Sequence, residues 1–242
     1  LGSCARTGLG ATADWNGDGY SDLIVSVLFG CDVYSRVEAS VLLGYSGSPL
    51  GVVTTPQWAL RVDGWFSHPM VLSTAGIGDV DNDGYGDIFV MSGFSGAGTT
   101  SVPAEQVILH GAANGEPRRE PVLQPRPLRG DWASGRPAPA GDVDGDGYID
   151  LLMSLDYSNP VYLYRHADGR VSSSVILSDP LGDPYFGFSF SAGDLNGDGL
   201  SDVIISSESA HLVERERLPV DAGRVYVFWG SHEGIVATPF WM

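Results

Sequence analysis

Short apolar runs alternate with polar, glycine-rich loops along the whole chain, and the same order of segments occurs four times. A run of three apolar residues follows an acidic loop in each copy, at 23–25, 88–90, 151–153 and 203–205. Runs this short, β-branched in part and bounded by turn residues, predict strands that are covered on both faces. A further apolar segment follows each run, at 41–44, 107–110, 161–164 and 225–228. Each acidic loop is therefore predicted to join two strands as a hairpin, with a third strand downstream.

A fourth stretch is marked in two copies by Thr55-Pro-Gln-Trp58 and Thr238-Pro-Phe-Trp241. Four strands in each repeat make the unit of a propeller blade. The sequence thus predicts an all-β fold, a β-propeller built of four-stranded antiparallel blades. We expect a single propeller region over 1–242, with blades at about 1–60, 61–128, 129–181 and 182–242.

The acidic loops share one nine-residue pattern, Asp-x-Asn/Asp-x-Asp-Gly-x-x-Asp, which starts at Asp14, Asp79, Asp142 and Asp194. Fourteen of the 30 acidic residues lie in these four windows, so the acidity is concentrated there and is not a general solubilising coat. Carboxylates gathered this closely repel one another unless a cation lies between them. We expect a cation in each loop.

The spacing predicts the identity of that cation. Oxygens at positions 1, 3, 5 and 9 converge on one point when the glycine at position 6 permits a sharp turn, and the carbonyl of position 7 can join them. A set of oxygen ligands with three or four carboxylates favours Ca²⁺ over Mg²⁺, Zn²⁺ or copper. About four Ca²⁺ ions are expected, one per repeat. The candidate ligands are Asp14, Asn16, Asp18, Tyr20 and Asp22; Asp79, Asp81, Asp83, Tyr85 and Asp87; Asp142, Asp144, Asp146, Tyr148 and Asp150; and Asp194, Asn196, Asp198, Leu200 and Asp202.

Simple turn chemistry and an EF-hand loop both fit this pattern less well. Asp-Gly and Asn-Gly are common turn residues, but turn formation does not require the same four spaced acids in every copy. EF-hand loops need a bidentate Glu at position 12. This chain has apolar residues there: Val25, Val90, Met153 and Ile205.

Composition excludes several functional classes. The 242 residues are 43% hydrophobic with a net charge of −17, so the chain can bury a core and would repel a nucleic-acid backbone. All 13 basic residues are arginine, which excludes Schiff-base chemistry and a P-loop lysine. No apolar run reaches the ~18 residues of a membrane helix. The five histidines are scattered and no nucleophile motif is present, so we expect no catalytic residues.

The two cysteines, Cys4 and Cys31, lie at nearly equal distances on either side of Asp18, at the centre of the first loop. An antiparallel hairpin would bring them almost opposite each other, which predicts a disulfide and an oxidising compartment. Two buried free thiols are the alternative.

The loop pattern, the apolar strand after it, Phe186-Gly187, and Val225-Tyr-Val-Phe-Trp-Gly-Ser231 with a terminal Thr-Pro-x-Trp together resemble the FG-GAP repeats of integrin α-subunit propellers and their bacterial relatives. The resemblance implies calcium loops on one face and ligand-binding loops on the opposite face. Trp65, Trp132 and Tyr185 lie in connections between repeats and are candidate ligand-binding residues; packing between blades is the alternative.

The implied function is a calcium-stabilised adhesion or ligand-binding scaffold, extracellular or at the cell surface and not catalytic. A lectin-like carbohydrate binder and a polysaccharide lyase or hydrolase on the same scaffold are the alternatives. Because an open arc of four blades would expose apolar faces, we expect a homodimer whose two chains complete an eight-bladed ring. A fragment of a longer propeller and a closed four-bladed ring are the other possibilities. The expected partner is a protein or glycan, with no nucleic acid and no membrane insertion.

Overall fold

The computed structural model of the chain describes residues 5–8, 10–29, 39–61, 71–92, 105–122, 136–154, 160–167, 170–180, 186–210 and 222–240. Within these ranges the regular secondary structure is entirely β, arranged in four antiparallel sheets. The chain divides into two compact units, 1–134 and 135–242, each containing two of the sheets. The expected all-β class and the four sheets are confirmed, whereas the boundaries of the blades remain predictions.

The first unit contains two sheets. The strands of the first sheet are β1 (Ala5–Gly8), β2 (Thr12–Ala13), β3 (Asp22–Phe29), β4 (Ala39–Tyr45) and β5 (Trp58–Arg61), in the order β1-β3-β4-β5, and β2 also pairs with β3. The second sheet contains β6 (Val71–Gly78), β7 (Asp87–Ser92), β8 (Glu105–His110) and β9 (Arg118–Pro121), in sequence order.

The second unit repeats this plan. Its sheets consist of β10 (Arg136–Gly141), β11 (Asp150–Ser154), β12 (Val161–Ala167) and β13 (Arg170–Leu177), and of β14 (Phe186–Gly193), β15 (Asp202–Ala210) and β16 (Ala222–Phe228), each in sequence order. The stretch that begins at Thr238 returns to β16, where the Phe240 N–H donates to the Val227 carbonyl at 2.7 Å.

Each unit has its own apolar core. In the first unit the indole rings of Trp15 and Trp58 meet edge to face at 5.3 Å, beside the buried side chains of Ile24, Ile88 and Leu109. The strands that follow the second and third acidic loops are buried along most of their length, as their continuous apolar runs predict. Leu23 and Val25 of the first copy are only half-buried. Because each buried aliphatic side chain contributes about 1.5–3 kcal/mol, these strands hold the adjoining loops firmly in place.

The Phe-Gly pair at the start of β14 packs against β16 and β12. Phe186 is buried and meets Tyr226 at 5.2 Å between ring centroids. Gly187 has φ +90°, and a Cβ there would lie 2.6 Å from Cγ2 of Val161. Glycine is therefore required at this position by both the backbone conformation and the close approach of β12.

No helix in the described ranges is long and apolar enough to cross a membrane.

Candidate metal centres

All four acidic loops have the same internal hydrogen bonds. The aspartate at position 1 accepts the N–H groups of positions 5 and 6; in the first loop Asp14 Oδ1 accepts from Asp18 at 3.0 Å and Oδ2 from Gly19 at 2.9 Å. The equivalent bonds are present at Asp79, Asp142 and Asp194, with lengths of 2.8–3.1 Å. The aspartate at position 5 accepts the N–H of position 7 in every loop at 2.9–3.0 Å. The loops are thus held in a conformation that turns their acidic side chains towards one another.

The predicted glycine turn is present in each loop. The position 6 glycines, Gly19, Gly84, Gly147 and Gly199, have φ between +88° and +93°. Position 4 is also left-handed and is occupied by glycine in three loops and by Asn82 in the second. Asparagine tolerates this conformation better than most residues, so the second loop keeps the same backbone.

The aspartate at position 9 joins each loop to its sheet. Asp22, Asp87, Asp150 and Asp202 are fully buried. One carboxylate oxygen of each accepts the N–H of position 2, at 2.8–3.1 Å. The other oxygen accepts an N–H from a residue just beyond or near the end of the third strand, at 2.7–3.0 Å. The position 9 carboxylates therefore have a structural role in holding the hairpin, and their predicted role as metal ligands stays a prediction.

In the second and third loops, where position 3 is aspartate, the carboxylates of positions 1, 3 and 5 form a cluster. Carboxylate oxygens of Asp79, Asp81 and Asp83 lie within 4.8 Å of one another, as do those of Asp142, Asp144 and Asp146. Asp81 Oδ1 is buried and has no hydrogen-bond partner among the described residues. An all-oxygen donor set with a buried, unsatisfied carboxylate oxygen fits a hard divalent cation such as Ca²⁺, which would be held by these side chains.

The first and fourth loops carry an amide in place of one carboxylate. The side-chain N–H₂ groups of Asn16 and Asn196 donate to Asp18 and Asp198 at 3.2 and 2.9 Å. Their Oδ1 atoms accept the N–H of the same aspartates. An amide oxygen is a calcium ligand as well, so these loops offer a ligand at the same positions with one oxygen and one negative charge fewer.

This difference in charge is matched by a neighbouring side chain. The N–H that bonds to the position 9 aspartate belongs to Gly111 in the second sheet and to His166 in the third. The residues just before these donors, His110 and Arg165, both face the position 3 aspartate. In the first and fourth sheets the same place holds the neutral Ser46 and Trp229. Arg118 also lies beside Asp81, with Nη2 3.0 Å from Oδ2. Loops with an extra carboxylate thus have a basic side chain beside them.

Burial changes the acidity of several loop carboxyls. Desolvation raises the pKa of Asp150 to about 7, despite two backbone hydrogen bonds that lower it. Burial also raises the pKa of Asp22 and of Asp81. The N–H of Gly199 instead lowers the pKa of the exposed Asp194. A divalent cation in the loop would favour the ionised form of these acids.

Main-chain hydrogen bonds link the loops of neighbouring sheets within each unit. In the first unit the carbonyls of Asp14 and Trp15 accept the N–H groups of Gly86 and Ala112, at 2.6 and 2.9 Å. In the second unit the carbonyls of Asp142 and Val143 accept those of Ser201 and Ser231, at 2.8 and 3.0 Å. The same two loop positions are used in both units. The first loop of each unit therefore positions the second.

The structure brings the side chains of positions 1, 3 and 5 together in the second and third loops, and the predicted role of the loop residues as metal ligands stays a prediction. Sequence reasoning missed the basic residues His110, Arg118 and Arg165 as neighbours of the loops. They come from the third and fourth strands, far from the motif, and their position at the loop depends on strand register. Five predicted residues lie outside the described ranges: Cys4, Cys31, Trp65, Trp132 and Tyr185.

The fold and its loops agree with two family models. Residues 142–205 match the FG-GAP-like repeat, and residues 186–228 match the FG-GAP repeat. The chain is also similar to integrin alpha-PS5 of Drosophila melanogaster, with 27% identity over 67% of this chain and 17% of that protein. These findings confirm the predicted resemblance to the FG-GAP, integrin-α-like propellers.

The chain is also similar to two proteins that are named as enzymes. Phosphatidylinositol-glycan-specific phospholipase D of Bos taurus is 29% identical over 74% of this chain and 23% of its own length. A Bacillus licheniformis rhamnogalacturonan lyase has the same fold, with a TM-score of 0.58 and 14% identity over 94% of this chain and 47% of that chain. The chain thus spans less than a quarter of the length of the integrin and phospholipase D relatives.

Proposed function

We propose that this chain is a calcium-stabilised, extracellular binding scaffold of the integrin-like propeller type, without catalytic activity. The observation that carries the proposal is the repeated loop geometry, in which side-chain oxygens at positions 1, 3 and 5 are turned together by glycine and by internal N–H bonds. Such an arrangement is costly without a cation, because carboxylates that lie this close repel each other.

Calcium would stabilise more than the loops themselves. The carbonyls of Asp14 and Asp142 accept hydrogen bonds from the next sheet of the same unit, so fixing the loop also fixes its neighbour. Binding free energy at the loop then appears as folding free energy of the unit. A propeller that calcium stabilises in this way can present ligand-binding loops, and such binding needs no catalytic residue.

Isothermal titration with Ca²⁺ on chelator-treated protein tests the metal part of the proposal. We expect about four ions per chain and a higher Tm when calcium is restored. Asp198→Asn removes a position 5 carboxylate and should reduce the stoichiometry by one. Glu233→Gln is the matched control, because it removes an exposed carboxylate outside the four loops. Unchanged stability on chelation, or equal stoichiometry in both variants, would contradict calcium binding.

The binding function is supported by the similarity to integrin α-subunits. Adhesion of cells or capture of a matrix protein on immobilised chain, reversed by chelation, is the expected behaviour. The likeness to rhamnogalacturonan lyases concerns the fold, and a lyase is the competing candidate. Incubation with rhamnogalacturonan should release no unsaturated oligosaccharides; their appearance would replace the scaffold proposal with an enzyme.

We further propose that two copies associate. Light scattering should then give twice the chain mass of 25.6 kDa. A mass of one chain in the presence of calcium would contradict this part of the proposal alone.

A further inference from the structure

His110, at the end of β8, lies among carboxylates that do not all belong to the calcium loop. Its Nδ1 atom is 3.2 Å from Asp81 Oδ2 and 3.4 Å from Asp87 Oδ1. Its Nε2 atom is 3.2 Å from Glu120 Oε2, on β9. The imidazole is 1% exposed and Asp87 is fully buried, whereas Asp81 and Glu120 are partly accessible to solvent.

The Nδ1 atom faces two carboxylates without a direct hydrogen bond to either. It has no hydrogen-bond partner of acceptable geometry among the described residues, although both carboxylate oxygens lie within 3.4 Å of it. By contrast, two ligands that are each about 2.0 Å from a tetrahedral zinc ion stand about 3.3 Å apart. The separations of 3.2 and 3.4 Å match that value.

We propose that His110 Nδ1, Asp81 Oδ2 and Asp87 Oδ1 form a site for a divalent transition-metal ion of the zinc type, which takes its nitrogen ligand from outside the calcium loop and shares Asp81 and Asp87 with the predicted calcium ligands. One nitrogen and two carboxylate oxygens, with water as a fourth ligand, suit zinc. These three atoms lie within 4.8 Å of one another. Asp87 Oδ1 also accepts the Gly111 N–H at 2.9 Å, which a carboxylate oxygen can do while it binds a metal.

Glu120 completes the arrangement. A histidine that binds a metal through one nitrogen usually donates its other ring N–H to a carboxylate, which fixes the orientation of the ring. Nε2 and Glu120 Oε2 are placed for this contact. Glu120 is therefore a positioning residue for His110 and not a ligand.

Asp81 would be shared between the two sites. Its Oδ1 atom is the buried oxygen without a hydrogen-bond partner in the calcium loop, whereas Oδ2 faces His110 and Arg118. The Arg118 side chain is 58% exposed, so it can turn away into solvent when an ion takes its place beside Oδ2. The zinc site does not require calcium in the loop, so it goes beyond the proposed function.

The site belongs to the second sheet. The equivalent residues beside the other three loops are Ser46, Arg165 and Trp229, none of which is a strong metal ligand in this context. One zinc ion per chain is therefore expected among the described loops.

Titration of calcium-saturated protein with Zn²⁺ alone tests the proposal. We expect one zinc per chain, lost in His110→Gln, and weakened about 10–100-fold in Glu120→Gln. Arg118→Leu should tighten zinc binding several-fold, because the competing cation is removed. Co²⁺ in place of zinc should give the intense visible absorption of a tetrahedral site in wild type and not in His110→Gln.

His232→Gln is the matched control, since this histidine also lies beside a calcium loop, with Nδ1 3.2 Å from the Asp144 carbonyl, but faces no carboxylate pair among the described residues. It should bind zinc as wild type does. Equal zinc affinity in His110→Gln and wild type, or no zinc binding by folded wild type, would overturn the proposal. If His110→Gln does not fold, the opposite shifts in Glu120→Gln and Arg118→Leu decide the question. Calcium stoichiometry is measured separately, so either proposal can fail without the other.

Discussion

The carbonyl oxygen of Asp14 accepts a hydrogen bond from the N–H of Gly86, at 2.6 Å. The first residue of one acidic loop is thereby joined to the residue before the last aspartate of the next. Ser201 and Asp142 form the same bond in the second unit, at 2.8 Å. A perturbation of one loop should consequently be felt in its neighbour.

Amide hydrogen exchange should detect this coupling. Asp18→Ala, in the first loop, is expected to accelerate exchange at Gly86 and Ala112, whose N–H groups bond to the first loop. The loss of about 1 kcal/mol per hydrogen bond corresponds to roughly five-fold faster exchange. Exchange at Ser201, in the other unit, provides the internal control. Equal effects at Gly86 and Ser201 would show that the variant acts through global unfolding and not through the loop contact.

The buried and exposed aspartates of one loop should differ in their effect on stability without metal. Asp202 is fully buried and accepts the N–H groups of Leu195 and Gly230, at 2.8 and 3.0 Å. Asp202→Asn leaves one of these donors facing an N–H₂ group and should lower the free energy of unfolding by about 1–3 kcal/mol. Asp194→Asn, at the exposed start of the same loop, should cost less in chelator. Urea unfolding of both variants makes the comparison, and a larger loss for Asp194→Asn in chelator would contradict the structural role of position 9.

Arg165 should exert opposite effects on folding and on calcium binding. Its guanidinium contacts the buried Oδ2 of Asp144. Arg165→Gln leaves this buried carboxylate without its partner, so the metal-free protein should lose about 1–3 kcal/mol of stability. A calcium ion in the third loop can replace the lost charge, and the rise in Tm on adding calcium should be larger than in wild type. A smaller calcium-induced rise in the variant would mean that Arg165 does not compete with the ion.

Gly187 and Gly193, both in β14, form a matched pair for a backbone test. Gly187 has φ +90° and faces Val161, whereas a Cβ at Gly193 meets nothing within 4 Å. Gly187→Ala should cost at least about 1–2 kcal/mol from the left-handed conformation, and more from the contact with Val161. Gly193→Ala should be nearly neutral. Thermal unfolding distinguishes the two variants, and similar Tm values would show that β14 adjusts to the added methyl group.

Alkaline pH should destabilise the second unit through Tyr164. Burial, with a smaller effect of Tyr162, raises the pKa of Tyr164 to about 12, from 10.0 for an exposed tyrosine. The unfolded chain loses this proton first, so the stability contributed by the neutral phenol is complete below pH 10 and falls as pH rises from 10 towards 12. Tyr164→Phe should flatten this fall, measured by urea unfolding at several pH values. The same slope in both proteins would assign the alkaline loss to other groups.

The acidic loops could be predicted from the sequence because the residues that shape each loop lie within one nine-residue segment. The spacing of Asp14, Asp18 and Gly19 is enough to determine a turn with converging oxygens, and the structure has that turn in all four copies. The apolar runs likewise predicted the strands after the loops, since continuous burial leaves no polar positions.

The remainder depends on register between strands. His110 reaches Asp81 because Ile88 pairs with Leu109 across β7 and β8, and a shift of one residue would turn the histidine to the other face. Similarly, the structural role of Asp87 depends on the Gly111 N–H, 24 residues away. No spacing within the motif contains these relationships, and so the basic residues beside the second and third loops could not be predicted.

The hydrogen bonds between successive loops join only backbone N–H and C=O groups, and this determines which substitutions the loops tolerate. Such a junction requires no particular side-chain chemistry, but it does require small residues, because a Cβ at Gly111 would lie 2.7 Å from the Trp15 carbonyl oxygen and one at Gly230 would lie 2.8 Å from that of Val143. Amino-acid changes elsewhere around the junction are then compatible with an unchanged backbone, provided that these glycines, the turn glycines and the oxygen-bearing positions persist.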